Sequence, residues 1–308
     1  MHLDLIDFTV DLPVDPRQAI GIPLALIGGV FLSLGAQFQH RGVNKVEANT
    51  VAVTGGLDPH QLLLLLRRPS WVIGTLMLGL AIVFQLSSLA FAPIIVVQPL
   101  GAVALVITAV VNARVTKTPV NRASKIAIAL CVGGIGLFVT VAAFFAVDKP
   151  VTDKNLITIL IVLGAVLLTF VLAFALLHTK FKAIFYITGA GVLYGFVATL
   201  AKVIINRTQN GNFEWLTLTC VAGLLLAAAL GAYFVQNAYS SGPPDLVIAG
   251  LTVIDPLVAV GIGIVVLGEI AQAPAWAAVA FALAGAIAIW GVILLSRHHP
   301  QASVTVSE

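Results

Sequence analysis

The sequence predicts an all-α polytopic membrane protein, with about nine transmembrane helices arranged as two inverted four-helix repeats joined by a central helix. Three observations carry this. Of 308 residues, 60% are hydrophobic and only 9% charged, a composition unsuited to a water-facing surface. The apolar residues gather in runs of about twenty, the length that crosses a hydrocarbon core of roughly 30 Å. Two blocks of the chain also read alike, with one extra apolar run between them. In hydrocarbon only helices and closed barrels satisfy the backbone. Barrel strands alternate over about ten residues, which these runs do not.

The runs place spans at 20–38, 71–91, 93–113, 124–146, 156–177, 184–205, 215–238, 246–267 and 275–295. Residues 1–19 form an acidic leader, with Asp4, Asp7, Asp11 and Asp15 against Arg17. A secretory signal begins with positive charge, so this start is not one. Lys and Arg set the orientation. With the N-terminus outside, Arg41, Lys45, Arg67, Arg68, Arg114, Lys117, Arg122, Lys125, Lys180, Lys182 and Arg297 fall inside. Arg17, Lys149, Lys154, Lys202 and Arg207 fall outside. The bias favours N-outside and C-inside, and a bacterial inner membrane suits the short termini. It also accounts for the net charge of +3 without any nucleic-acid partner. The Leu-rich stretch 61–68 is too short to span. It reads as an interfacial segment or the remnant of a lost helix. Residues 296–308 read as a cytoplasmic tail.

The repeat divides the chain into a first four-helix unit at 20–146, a connecting helix and loops at 147–183, and a second unit at 184–295. WVIGTLMLGLAIVFQ, FAPIIVVQPLGAVALVITAVVNA and SKIAIALCVGGIGLFV pair with WLTLTCVAGLLLAAA, PPDLVIAGLTVIDPLVAVGIGIVVLGE and WAAVAFALAGAIAIWG. Trp71 and Trp215 open the blocks as interface anchors. Gln98-Pro99 matches Asp255-Pro256, and a polar residue, Asn112 or Glu269, follows each proline by the same interval. The preceding helices, GGVFLSLGAQFQHRG and GAGVLYGFVATLAKV, match as well. One helix between two four-helix units forces them into opposite orientations. Such inverted repeats characterise secondary transporters, whose site lies near the midplane where the repeats meet.

On these segments the chain resembles the drug/metabolite transporter superfamily, of EamA-like fold. Within it, Pro99-Leu100-Gly101-Ala102 and the count of nine helices look closest to the NIPA-type branch. The resemblance covers most of residues 20–295 and implies a carrier. Through that branch it implies magnesium as cargo rather than cofactor. The chain departs from the superfamily at one place. The Gly-Glu pair common at the end of the equivalent helix survives as Gly268-Glu269, whereas the first half has Val111-Asn112.

An ionisable residue deep in a bilayer is costly and marks a functional candidate. Asp255 is the acidic residue well inside a span, and Pro256 after it removes a backbone donor, predicting a helix broken at that point. Gln98, Pro99, Asp255 and Pro256 are therefore the candidate substrate or ion site, with Asp255 as the metal-binding carboxylate and Asn112 and Glu269 at its margins. Fourteen residues of helix separate Asp255 from Glu269 by about 21 Å, so the two do not ligate one ion. Glu269 reads as a mouth residue or a solvated helix end. Gln37, Gln39, Gln85, Gln236 and Asn237 read as helix-interface amides, and Lys202 as a snorkelling side chain. Cys131 and Cys220 read as small buried apolar residues. The histidines all fall in loops or tails, which argues against a histidine-built metal centre.

The predicted function is a secondary transporter working by alternating access, for magnesium or a related divalent cation. The alternative is a proton-coupled carrier or exporter of a small organic metabolite or drug, with Asp255 as the coupling group. A non-transporting membrane subunit or lipid translocase is the remote reading. No Walker A loop appears, and no nucleophile–base pair sits within a span, so neither an ATP-driven pump nor an enzyme is expected. The expected partners are the lipid bilayer, a small solute or cation, and a second copy in a homodimer.

Overall fold

A computed structural model of the chain describes residues 15–47, 67–115, 121–177, 183–241 and 244–298. Its helices are α1 (Pro16–Glu47), α2 (Pro69–Phe91), α3 (Ile94–Gly101), α4 (Val103–Val115), α5 (Arg122–Phe145), α6 (Asp153–Leu177), α7 (Ala183–Gln209), α8 (Trp215–Ser241), α9 (Pro244–Ile262) and α10 (Ala275–His298). A π-helical turn, Gly263–Leu267, continues α9. Among the described residues nine helical segments are long and apolar enough to cross a membrane, with α3 and α4 together making the third.

Each predicted span has its helix, with three differences. The first helix already begins at Pro16, whose fixed φ suits a first turn, so residues 16–19 belong to it rather than to a leader. It runs on to Glu47, which puts Arg41, Lys45 and His40 on a helix and not in a loop. Polarity takes this stretch out of hydrocarbon, but nothing between Gln37 and Glu47 removes a backbone donor to stop the coil. Of the Leu-rich stretch, 61–66 lies outside the described residues, and Arg67 and Arg68 lead directly into α2.

The proline positions behave unequally. Three residues after Pro99 the helix breaks at Ala102, whose N–H turns back to the carbonyls of Pro99 and Leu100. The second half does not break at Asp255-Pro256. There α9 continues through the proline and widens only at Gly263. Packing explains why. A Cβ on Gly191 would lie 2.7 Å from the Ile254 Cβ, and one on Gly195 2.7 Å from the Val258 Cβ. Thus α7 presses along both sides of the Asp255-Pro256 step and holds the helix continuous there, although the proline removes one backbone donor. The π turn then ends at Gly268, at φ 67°, a left-handed conformation that glycine adopts without strain.

Helix α1 lies against α2, α7 against α8 and α9, α5 against α10, and α3 against α9. One apolar core joins the end of α2, α3, α4, α5 and α10, and a second joins α6 to α9. Ile94, Ile95, Val96 and Val97 in the first turns of α3 are fully buried. Leu76, Ile161, Val171, Leu225 and Trp290 point outward, as lipid-facing residues should. Because every span crosses, one face of the bundle carries the start of α1, the α2–α3 junction, the α5–α6 and α7–α8 connections and the end of α9. We call it the N-terminal face.

Glycine permits the closest crossing. A Cβ on Gly134 of α5 would sit 2.5 Å from the Ala288 backbone nitrogen of α10, whereas one on Gly133 meets nothing within 4 Å. Gly134→Ala is therefore expected to cost about 1–3 kcal/mol by overpacking, lowering the melting temperature in detergent. Gly133→Ala should leave it unchanged or slightly raised.

Candidate functional site

A cavity of about 380 Å³ lies between the two halves, lined by Gly28, Gly29 and Leu32 of α1, Ala81, Ile82, Gln85 and Leu86 of α2, Gln98 and Gly101 of α3 with Ala102, and Leu251, Thr252, Asp255 and Pro256 of α9. These positions fall near the middle of the long helices, at the depth of the bilayer interior. The small residues open the space: a side chain at Gly28 or Gly29 would project toward α2 or Ala104. Four polar side chains reach its wall, those of Gln85, Gln98, Thr252 and Asp255. Thr252 spends its hydroxyl proton on the Ile248 carbonyl, at 2.7 Å. The Asp255 Oδ1 is buried and accepts no hydrogen bond. Unmatched buried polar atoms are rare and costly, which makes this carboxyl the candidate functional group of the cavity wall.

The cavity brings together two of the predicted residues, Gln98 and Asp255, from opposite halves. Pro256 shares its wall. Pro99 instead lines an adjoining apolar groove of about 80 Å³ that also takes in Pro256, Ile135, Phe138 and Val260. The side chain of Asn112 lies outside the described residues. No cluster of three or more His, Cys, Asp or Glu side chains occurs among the described residues. Among the described residues Asp255 is the one carboxylate lining the cavity, with amide and hydroxyl groups on the same wall.

Glu269 is elsewhere and does something different. It is 2% exposed, so the expected solvated helix end is corrected. Its Oε1 accepts the Ile94 N–H at 2.8 Å and its Oε2 the Ile95 N–H at 2.9 Å. A helix start leaves its first N–H groups without intrahelical partners, and Pro93 before them has none to offer. The carboxylate from the second half satisfies both, with the sign of charge that a helix N-terminus favours. The fold holds Glu269 there through Glu269 N–H to the Gly263 carbonyl at 3.1 Å and Val147 N–H to the Glu269 carbonyl at 2.8 Å.

Lys202 is the complementary surprise. At 1% exposed it does not snorkel. Its Nζ donates to the Leu89 carbonyl at 2.8 Å, the Ala92 carbonyl at 3.0 Å and the Asp148 Oδ2 at 2.6 Å. The first two are free carbonyls at the end of α2. A buried ammonium is tolerable when paired and fully hydrogen-bonded, and three oxygen acceptors match its three donors. On the same face Arg207 pairs with Asp153 at 2.6 Å, and Gln18 donates to the Ala146 carbonyl at 3.0 Å.

The sequence reading did not assign these roles, and it placed Gln85 among the interface amides. Gln39 does bridge helices, donating to the Thr75 hydroxyl at 3.0 Å. Asn237 bonds within its own helix, to the Tyr233 carbonyl. One signal for Lys202 was present: matching 28–42 with 189–203 sets Lys202 opposite Arg41, so both repeats put a cation at this position. Cys131 and Cys220 are buried, as expected.

Residues 17–300 match the family described as Magnesium transporter NIPA. The chain belongs to this family. Among curated proteins it is 26% identical over 279 residues to an uncharacterized protein of Corynebacterium glutamicum, covering 90% of this chain and 95% of that one. It is 26% identical over 165 residues to the human magnesium transporter NIPA4, covering 50% of this chain and 39% of the human protein. With a probable magnesium transporter NIPA4 of Arabidopsis thaliana it shares 31% over 115 residues, 37% of this chain and 32% of the relative. No solved structure matches it. The chain is an integral membrane transporter of the NIPA family, and the remaining question is how its cavity serves that role.

Glu269 lies between the spans Leu246–Leu267 and Ala275–Arg297. Burial pushes its carboxyl from the ordinary 4.5 up to about 7, against the pull of the Ile95 and Ile94 N–H groups and the Lys202 ammonium. The folded chain therefore binds a proton that the unfolded chain lacks between these values. That contribution to stability is full below about pH 4.5 and is lost as pH rises through about 7. In melting curves across this window, Glu269→Gln should show a flatter fall with pH than the wild type.

Proposed function

We propose that this chain carries magnesium or a similar divalent cation, still hydrated, by alternating access about the Asp255–Gln98 cavity. The observation that carries this reading is Asp255, whose Oδ1 has no hydrogen-bond partner, on the wall of a 380 Å³ space with Gln85, Gln98 and Thr252. A bare magnesium ion demands about six oxygens near 2.0–2.1 Å and sheds water reluctantly, and one carboxylate with a few amides falls short of that. Six waters at about 30 Å³ each fill roughly 180 Å³, which the cavity accommodates. Asp255 offsets part of the charge, and the amide oxygens accept hydrogen bonds from coordinated water. Holding the ion through its hydration shell is weak, which suits a carrier that must also release it.

Family membership supports this cargo, and the relatives named as magnesium transporters point the same way. The likeness to the drug/metabolite transporter superfamily supports the mechanism: α1 with α2 and α7 with α8 are equivalent pairs, and α5 with α10 pairs equivalent helices across the halves. On this reading two inverted units, 20–146 and 184–295, rock about the cavity, and the N-terminal face is the outer side of a bacterial inner membrane.

The test is magnesium flux into proteoliposomes of the purified chain. Saturable flux, reduced at least tenfold by Asp255→Asn and blocked by the exchange-inert hexaamminecobalt(III) ion, is the expected result. Flux equal in the mutant removes Asp255 from the site. No flux under imposed voltage and proton gradients shifts the reading to an organic solute, with Asp255 as the coupling group.

A further inference from the structure

We propose that Lys202 and Glu269 are the closed gate of the N-terminal face, a two-ended clamp by which the second half of the chain holds shut the helix break of the first. The first half's chain leaves α2 at Phe91 and re-enters the bundle at Ile94, with only Ala92 and Pro93 between. Both cut ends are gripped by residues of the other half. Lys202 of α7 holds the carbonyls of Leu89, in the last turn of α2, and of Ala92 just past it, and Glu269, just past α9, holds the α3 amides of Ile94 and Ile95. Asp148 on the α5–α6 connection bonds Lys202 from the side, and the Glu269 carbonyl bonds Val147 beside it.

The clamp sits directly over the cavity. Gln98 lies four residues, about 6 Å of helix, beneath the clamped start of α3. The intervening Ile94, Ile95, Val96 and Val97 are fully buried, as is Ala92 beside them. They form an apolar plug between the cavity and the N-terminal face. Small residues seat the plug. A Cβ on Gly21 would lie 2.6 Å from that of Ala92, and one on Gly263 2.5 Å from the Ile94 Cγ2. Access from this face requires the halves to part where the plug meets α7 and α9, and that parting breaks the five side-chain bonds of the clamp together. Opposite charges on the opposite ends of the break make the closure specific. An ammonium cannot serve amides and a carboxylate cannot serve carbonyls, so a shifted register leaves both ends unmet.

The two faces are not gated alike. By the repeat, Glu269 corresponds to Asn112 and Lys202 to Arg41, and Arg41 is exposed, with its guanidinium over the Phe38 ring at 5.7 Å. The charged clamp belongs to the N-terminal face, and the opposite face has an amide where it would need the carboxylate.

This rests on the carrier reading but not on the cargo, so its test reads access rather than flux. Cys131 and Cys220 are replaced by alanine, and Ala81→Cys, on the cavity wall, reports access in proteoliposomes. A membrane-impermeant methanethiosulfonate ammonium reagent is applied from one face at a time. Lys202→Met and Glu269→Gln are each expected to raise labelling from the N-terminal face at least tenfold, with labelling from the other face unchanged. Unchanged labelling from the N-terminal face, or an equal rise from both faces, overturns the proposal. If these variants do not fold, Glu269→Asp retains charge while shortening the reach to the paired amides, and the same sided increase or its absence decides.

Discussion

Two membrane helices joined by a two-residue turn that is buried in the bundle must find partners for the free carbonyls and amides at that turn. Here two buried charges supply them, and much of the fold is arranged around that need. Lys202 and Glu269 meet the ends of α2 and α3, so the Ala92-Pro93 junction can be packed tightly instead of being solvated. Removing either side chain leaves the backbone groups it serves unmatched, a loss of about 1–3 kcal/mol. The positions of Gln98 and of the buried first turns of α3 follow from where that junction is held.

This explains why the cavity is small, polar on few sides and placed between the halves. Helix α3 is only eight residues long, capped by Glu269 at one end and turned by Ala102 at the other. It brings Gln98 toward Asp255 of α9, which stays continuous where the α7 glycines pack against Ile254 and Val258. The Asp255 Oδ1 has no hydrogen-bond partner, and Thr252 on the same wall is already bonded to its own helix.

The spans were legible because hydrocarbon imposes length and polarity on each helix separately. The juxtaposition of Gln98 and Asp255 was legible through the repeat, which set them at equivalent steps before equivalent prolines. Lys202 and Glu269 were not, since a charge near a helix end reads as a surface group and their partners, backbone amides and carbonyls, leave no residue signature. The unequal breaks also leave no mark in the sequence. Pro99 and Pro256 look identical in sequence, and only the packing of α7 on α9 keeps the second helix continuous. Gln85 was placed among interface amides because nothing in its own run distinguishes a cavity wall from a helix contact.

The account turns on an ion held through its water at Asp255. Manganese(II), a hard cation that accepts the same oxygen ligands, can be located by its anomalous scattering in crystals of the chain. A peak is expected in the cavity about 4 Å from the Asp255 carboxylate, the separation of an ion joined to it through coordinated water. A peak near 2.1 Å, or one bound away from Asp255, would contradict it.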